Sequence, residues 1–95
     1  PEAVMADLRI TREGGQVGDN FTLLLYYPQF RAILKCGYLA RIAGPRFLLY
    51  GTEGAYLKQG LDPQEDVLKA GGIPGRAGWG TEPAEAWGDI HSTVQ

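Results

Sequence analysis

The sequence predicts an α+β domain: a mostly antiparallel β-sheet of about five strands, one short helix and a Gly-rich C-terminal tail. Three observations lead there. Apolar runs in the first 58 residues either alternate with polar residues or are apolar on both parities, as strands are. Asp62-Pro63 and Gly71-Gly72 bracket a stretch with the start and stop signals of one short helix. Beyond Gly71, glycine and proline leave little room for regular structure.

Val4, Ala6, Leu8 and Ile10 alternate with Met5, Asp7, Arg9 and Thr11, which gives a first strand one apolar and one mostly polar face. Gly14-Gly15-Gln16-Val17-Gly18-Asp19 is too rich in glycine for a strand interior and serves as a connection. Asn20 to Tyr27 is apolar on both parities, so this strand needs cover on both faces and belongs at the centre of the sheet. Pro28-Gln29 separates it from the run Phe30 to Ile42, and a two-residue gap between strand-like runs implies an antiparallel hairpin.

Gly44-Pro45 breaks the sheet before Arg46-Phe-Leu-Leu-Tyr50. Gly51 and Gly54 then bracket Thr52-Glu53 as a tight turn into Ala55 to Lys58. Asp62 is placed to cap the helix, with Pro63 at its first position and Glu65 three residues after the cap, as in a capping box. Gly71 and Gly72 end it after Lys69, whose charge suits that end of the helix dipole. Pro83 to Trp87 permits one brief helical turn, and the tail takes its order from packing, with Trp79 and Trp87 as anchors against the sheet.

With 95 residues, 44% of them hydrophobic, and a net charge of −2, the chain reads as a single domain over residues 1–95 with a thin core. The weak acidity offers no basic footprint for nucleic acid, and no apolar run reaches the ~20 residues needed to cross a bilayer. Cys36 is the lone cysteine, read as a free buried thiol, so a reducing cytoplasm is the simpler compartment. The opening Pro1-Glu2-Ala3-Val4 has no initiator methionine or targeting stretch, which favours an excised piece of a longer protein.

Catalytic constellations are wanting. The Gly71 to Gly80 run follows a helix, whereas a dinucleotide cradle needs a strand before the glycines and a helix opening at them. His91, with Asp89 and Ser92, sits on a short tail without a rigid scaffold, and a single histidine and cysteine make a metal site from this chain improbable. Glu65 and Asp66 are adjacent in a first helical turn, where the dipole favours them, rather than paired for acid–base work. Asn20-Phe21-Thr22 matches a glycosylation acceptor, a pattern with meaning only in secreted proteins.

The stretch from Gly44-Pro45-Arg46 through Gln64-Glu65-Asp66, followed by Gly78-Trp79-Gly80, resembles the C-terminal domain of Gfo/Idh/MocA-type oxidoreductases, and the resemblance covers nearly the whole chain. Members of that family join an NAD(P)-binding Rossmann domain to an α+β domain whose large sheet lies beside the active site and commonly mediates oligomerisation. The resemblance implies the later part of that second domain. The Rossmann domain, its Glu-Lys-Pro motif and the helix with an Asp/His catalytic motif have no counterpart in this sequence.

On that resemblance the chain is expected to supply a substrate-pocket wall and a subunit interface to an NAD(P)-dependent oxidoreductase acting on a sugar, polyol or related carbonyl compound. By itself it is expected to be inactive and to bind neither NAD nor NADP. Tyr56, Lys58 and Gln64, at the strand-to-helix junction, are the substrate-proximal candidates, against the plainer reading of a packing tyrosine and a solvated lysine. Ile33, Lys35, Leu39 and Arg41, on the less apolar face of the third strand, are the candidates for a homo-oligomer contact. The alternative is a free-standing, non-enzymatic sheet module that self-associates or binds a ligand through Tyr26, Tyr27, Tyr38 and Tyr50.

Overall fold

The computed structural model describes residues 1–93: six strands, one α-helix and a 3₁₀ turn. The class is α+β with antiparallel pairing throughout. The strands form two three-stranded sheets instead of one sheet of five, and the chain falls into two units, Pro1–Ala43 and a second beginning at Gly44.

In the first unit β1 (Ala3–Arg9), β2 (Asn20–Tyr26) and β3 (Arg31–Gly37) lie in the order β1-β2-β3, with β2 central as its two-sided apolarity requires. The Pro28-Gln29 hairpin is closed by the Tyr27 N–H donating to the Phe30 carbonyl at 3.0 Å, and the Tyr27 and Phe30 rings stack over it at 4.4 Å. The expected third strand is shorter than the run from Phe30 to Ile42. Gly37 pairs with Asn20, the first residue of β2, and beyond the Tyr38 N–H to Asp19 carbonyl bond the ladder has no further partner.

Cross-strand partners share a face. Val4, Leu25 and Ala32, then Ala6, Leu23 and Leu34, then Leu8, Phe21 and Cys36 make one face wholly apolar. The other face carries a central apolar row, Met5, Leu24 and Ile33, beside Asp7, Thr22 and Lys35 and with Arg9 and Arg31 towards its corners. Cys36 is exposed rather than buried, as are Leu8 and Leu34 on the same face, because a lone three-stranded sheet covers neither of its own sides.

The β1–β2 connection is held by Asp19, one of two residues buried among those described. Its carboxylate accepts from the Thr11 hydroxyl at 2.6 Å, the Thr11 N–H at 2.7 Å, the Arg12 N–H at 3.0 Å and Arg12 Nε at 3.1 Å. These bonds, led by the Thr11 hydroxyl and N–H, hold the Asp19 carboxyl well below the usual carboxylate range. Arg12 in turn stacks over the Tyr38 ring at 4.9 Å, so the loop is tied to the end of β3.

In the second unit β4 (Phe47–Tyr50), β5 (Gly54–Lys58) and β6 (Asp89–Ser92) lie in the order β4-β5-β6. The Thr52-Glu53 turn is closed by Gly51 N–H donating to the Gly54 carbonyl at 2.8 Å. The sixth strand, β6, comes from the tail, which was expected to be coil. It forms where β5 still has an open edge. Its far end is pinned where the Thr93 N–H donates to the Glu53 carbonyl at 3.0 Å.

The helix α1 (Pro63–Lys69) starts where Asp62 accepts from the Gln64 N–H at 2.9 Å. Glu65 does not complete a capping box: its carboxylate pairs with Lys69, one turn on, at 2.7 Å. Gly71, at φ 85°, closes the helix. Gly71 N–H donates to the Leu68 carbonyl and Gly72 N–H to that of Val67, the two bonds of a Schellman motif. The brief turn expected after Pro83 is the 3₁₀ turn Ala84–Ala86.

Candidate functional site

Tyr56 and Lys58 alternate on β5 and therefore share a face, together with Phe47, Leu49 and Ile90 of the flanking strands. Gln64 stands on the first turn of α1. The structure brings all three onto one stretch of returning chain, residues 80–88. Lys58 Nζ donates to Glu82 Oε2 at 2.9 Å and to the Ala86 carbonyl at 2.7 Å. The Tyr56 ring lies directly against Gly88, where a side chain would collide with it. A Cβ built on Gly80 would lie 2.9 Å from Gln64 Nε2, so the backbone passes close to that amide as well.

Lys58 is thus neither the solvated strand charge of the plainer reading nor an unengaged amine. It is the second of the two buried residues, its ammonium directed at a carboxylate and a carbonyl. A groove of about 450 Å³ runs beside it, lined by Leu57, Leu61, Pro63, Glu82, Glu85 and Trp87 among others. The pairing with Glu82 engages the ammonium, and the groove that Lys58 also lines has apolar and acidic walls.

The tryptophans act differently from expectation. Trp87 is 66% exposed, and its indole N–H donates to the Glu82 carbonyl at 3.1 Å, closing the 3₁₀ turn on itself instead of packing on the sheet. Trp79 lines a second cavity of about 230 Å³ with Val67, Gly72, Ile73 and Arg76, at the C-terminal end of α1. The glycine-rich run therefore meets the end of the helix that presents carbonyls, the wrong end for a pyrophosphate. The glycine-rich run thus lacks the strand–glycine–helix arrangement that cradles the pyrophosphate of a nicotinamide dinucleotide.

Ile33 and Lys35 lie on the mixed face of the first sheet, in the rows of Met5 and Asp7. Leu39 and Arg41 lie past the end of β3 and do not belong to that face. Asp89 and His91 share one face of β6, paired with Leu57 and Ala55, while Ser92 falls on the other, so the three do not converge. Among the described residues no group of three His, Cys, Asp or Glu side chains is placed to hold a metal ion, and no helix is long and apolar enough to cross a membrane.

Sequence reasoning missed Glu82, Ala86 and Gly88 as partners of the junction residues. Each lies more than 20 residues from its partner, and no local pattern announces such a pairing.

The second unit is an α+β module in which Tyr56, Lys58 and Gln64 gather around a returning tail. No family model matches the chain. It is 37% identical over 95% of its length to scyllo-inositol 2-dehydrogenase (NADP(+)) IolW of Bacillus subtilis strain 168, of which it spans 25%. It is 41% identical over 84% of its length to the uncharacterized oxidoreductase YdgJ of Escherichia coli K12, spanning 23% of that protein. In three dimensions it superposes with a TM-score of 0.88 and 48% identity on a candidate oxidoreductase of Bacteroides fragilis NCTC 9343, covering 100% of this chain and 29% of that one. The chain belongs with the C-terminal quarter of these oxidoreductases, consistent with the Gfo/Idh/MocA C-terminal domain that its sequence resembles.

Proposed function

We propose that the chain is the sheet portion of a Gfo/Idh/MocA-family NAD(P)-dependent oxidoreductase that acts on a polyol, sugar or related carbonyl compound. The observation that carries this reading is the 37% identity, across nearly the whole chain, to a relative named for oxidation of an inositol with NADP(+). The nucleotide would be held outside this chain, because the glycine-rich run stands at the C-terminal end of α1, and no step of hydride transfer is assigned to these residues.

The chain's contribution is structural. The wholly apolar face of the first sheet, Leu8, Leu23, Leu34 and their neighbours, is a surface for the remainder of the protein to cover. The mixed face carrying Ile33 and Lys35 suits contact with a second copy, an apolar centre with a charged rim. Tyr56, Lys58 and Gln64 build the pocket wall indirectly, by holding residues 80–88 beside the groove.

The test is an assay of the full-length protein on scyllo-inositol, other inositols and aldoses with NAD and with NADP, followed by formation of the reduced nicotinamide. Polyol-dependent reduction of either nucleotide is the expected result. Absence of turnover with every polyol and sugar, in a folded protein that binds the nucleotide, would overturn the substrate class.

A further inference from the structure

Between the end of α1 and the start of β6 the chain returns with little structure of its own. Residues 71–88 contain six glycines. Four of them, Gly71, Gly75, Gly78 and Gly80, take positive φ. Such a segment has much freedom to lose, and closing it opposes order. The strand it delivers, β6, is four residues long and exposed at every position, so it adds little apolar burial to set against that cost. Besides the short β5–β6 ladder and the Ser92 and Thr93 hydrogen bonds to the Glu53 carbonyl, the segment is seated by two side chains of β5, the very strand to which β6 pairs: Lys58 on Glu82 and Ala86, and Tyr56 against Gly88.

We propose that residues 80–92 form a detachable strap latched by Lys58. When the ammonium lets go of Glu82 and Ala86, the 3₁₀ turn and β6 leave together. That departure bares the edge of β5 and takes from the groove the wall made by Glu82, Glu85 and Trp87, leaving Leu57, Leu61 and Pro63 uncovered. The β4–β5 hairpin and α1 stay in place, because each is closed by its own bonds: Gly51 to Gly54 in the hairpin, and the Asp62 cap and Gly71-Gly72 motif in the helix. The latch is a polar contact laid over a glycine-rich segment, so the strap is a removable wall of the groove, separable from the fold that carries it.

Amide hydrogen exchange, read by mass spectrometry on the full-length protein, tests this with Lys58→Met and Glu82→Gln. In Lys58→Met, peptides covering 84–92 and the β5 amides that face β6 are expected to exchange at least about tenfold faster, while Phe47–Tyr50 and Pro63–Lys69 keep the rates of the parent. Glu82→Gln, which retains an acceptor, is expected to accelerate the same peptides by a smaller factor. Unchanged exchange in β6 would overturn the proposal. So would equal acceleration of β4, α1 and β6, or a Lys58→Met protein that loses α1, since the latch is defined by what its release spares.

Discussion

Lys58 and Glu82 are 24 residues apart in sequence and meet at 2.9 Å, with side chains only 10% and 20% exposed. A pair so shielded from solvent is held by bonds that water cannot readily replace. Lys58→Met is therefore expected to weaken the hold on residues 80–92 by roughly 1.5–3 kcal/mol, the range for hydrogen bonds to charged groups. Limited proteolysis of the two proteins under native conditions reads it as faster cleavage within 80–92, and equal cleavage rates would show that the pair is an incidental contact.

The approach of Tyr56 to Gly88 gives a second expectation. The ring occupies the space that any side chain at position 88 needs, so Gly88→Ala has to displace either the ring or the strap. Overpacking of that kind typically costs about 1–3 kcal/mol. Gly44→Ala is the matching control, with nothing within 4 Å of the added carbon. Thermal melts should separate the two variants clearly.

Asp62 accepts from the Gln64 N–H at 2.9 Å and stands 3.5 Å from Arg46. Replacing it with alanine removes the N-cap of α1 and is expected to cost roughly 0.5–2 kcal/mol. Glu65→Gln, by contrast, breaks only an exposed pair with Lys69 and should change stability by less than about 0.5 kcal/mol. Denaturant midpoints check both, and reversed magnitudes would mean that the capping box, not the Asp62 cap, governs the helix start.

What the sequence announced and what it hid divide along the range of the signals. The hairpins through Pro28-Gln29 and Thr52-Glu53 and the helix between Asp62 and Gly71 are set by neighbouring residues, and each stands where local chemistry places it. The strand Asp89–Ser92 was illegible because one isoleucine among polar residues makes no pattern; it is a strand only because β5 offers an edge. Tyr56, Lys58 and Gln64 were legible as a notable junction. Their engagement with Glu82, Ala86, Gly88 and Gly80 was not, since pairing over such separations is decided by tertiary structure.

Asp19 makes the stability of the first unit depend on acid. Its folded-state pKa is depressed, led by the hydrogen bonds from Thr11, so as pH falls the unfolded chain takes up the proton first, near the ordinary value of about 3.9. The stabilisation is complete above that value and is lost progressively as pH drops further towards the folded-state pKa. Stability below about pH 4 should consequently fall more steeply in the parent than in Asp19→Asn, which has no proton to bind. Parallel pH profiles for the two proteins would show that the Thr11 and Arg12 bonds do not constrain this carboxylate in solution.

The two faces of the first sheet should respond differently to charge. On the apolar face Leu23 sits between Ala6 and Leu34 with no polar residue in its row or in the rows beside it, so Leu23→Glu leaves a carboxylate among hydrocarbon once that face is covered. Full-length protein carrying it is expected to be misfolded or poorly soluble. On the other face Ile33 lies across from Leu24 and Met5, one row from Lys35, Thr22 and Asp7. A glutamate there remains close to cationic and hydrated groups and is tolerable in a monomer. If that face joins two copies, Ile33→Glu puts two carboxylates into a desolvated contact and should raise the dissociation constant by at least about tenfold while leaving the fold intact. Sedimentation velocity over a concentration series, with circular dichroism on the same samples, distinguishes the outcomes. A folded Ile33→Glu protein that associates as tightly as the parent removes this face from the subunit contact, and a folded, soluble Leu23→Glu protein shows that the apolar face stays open to water.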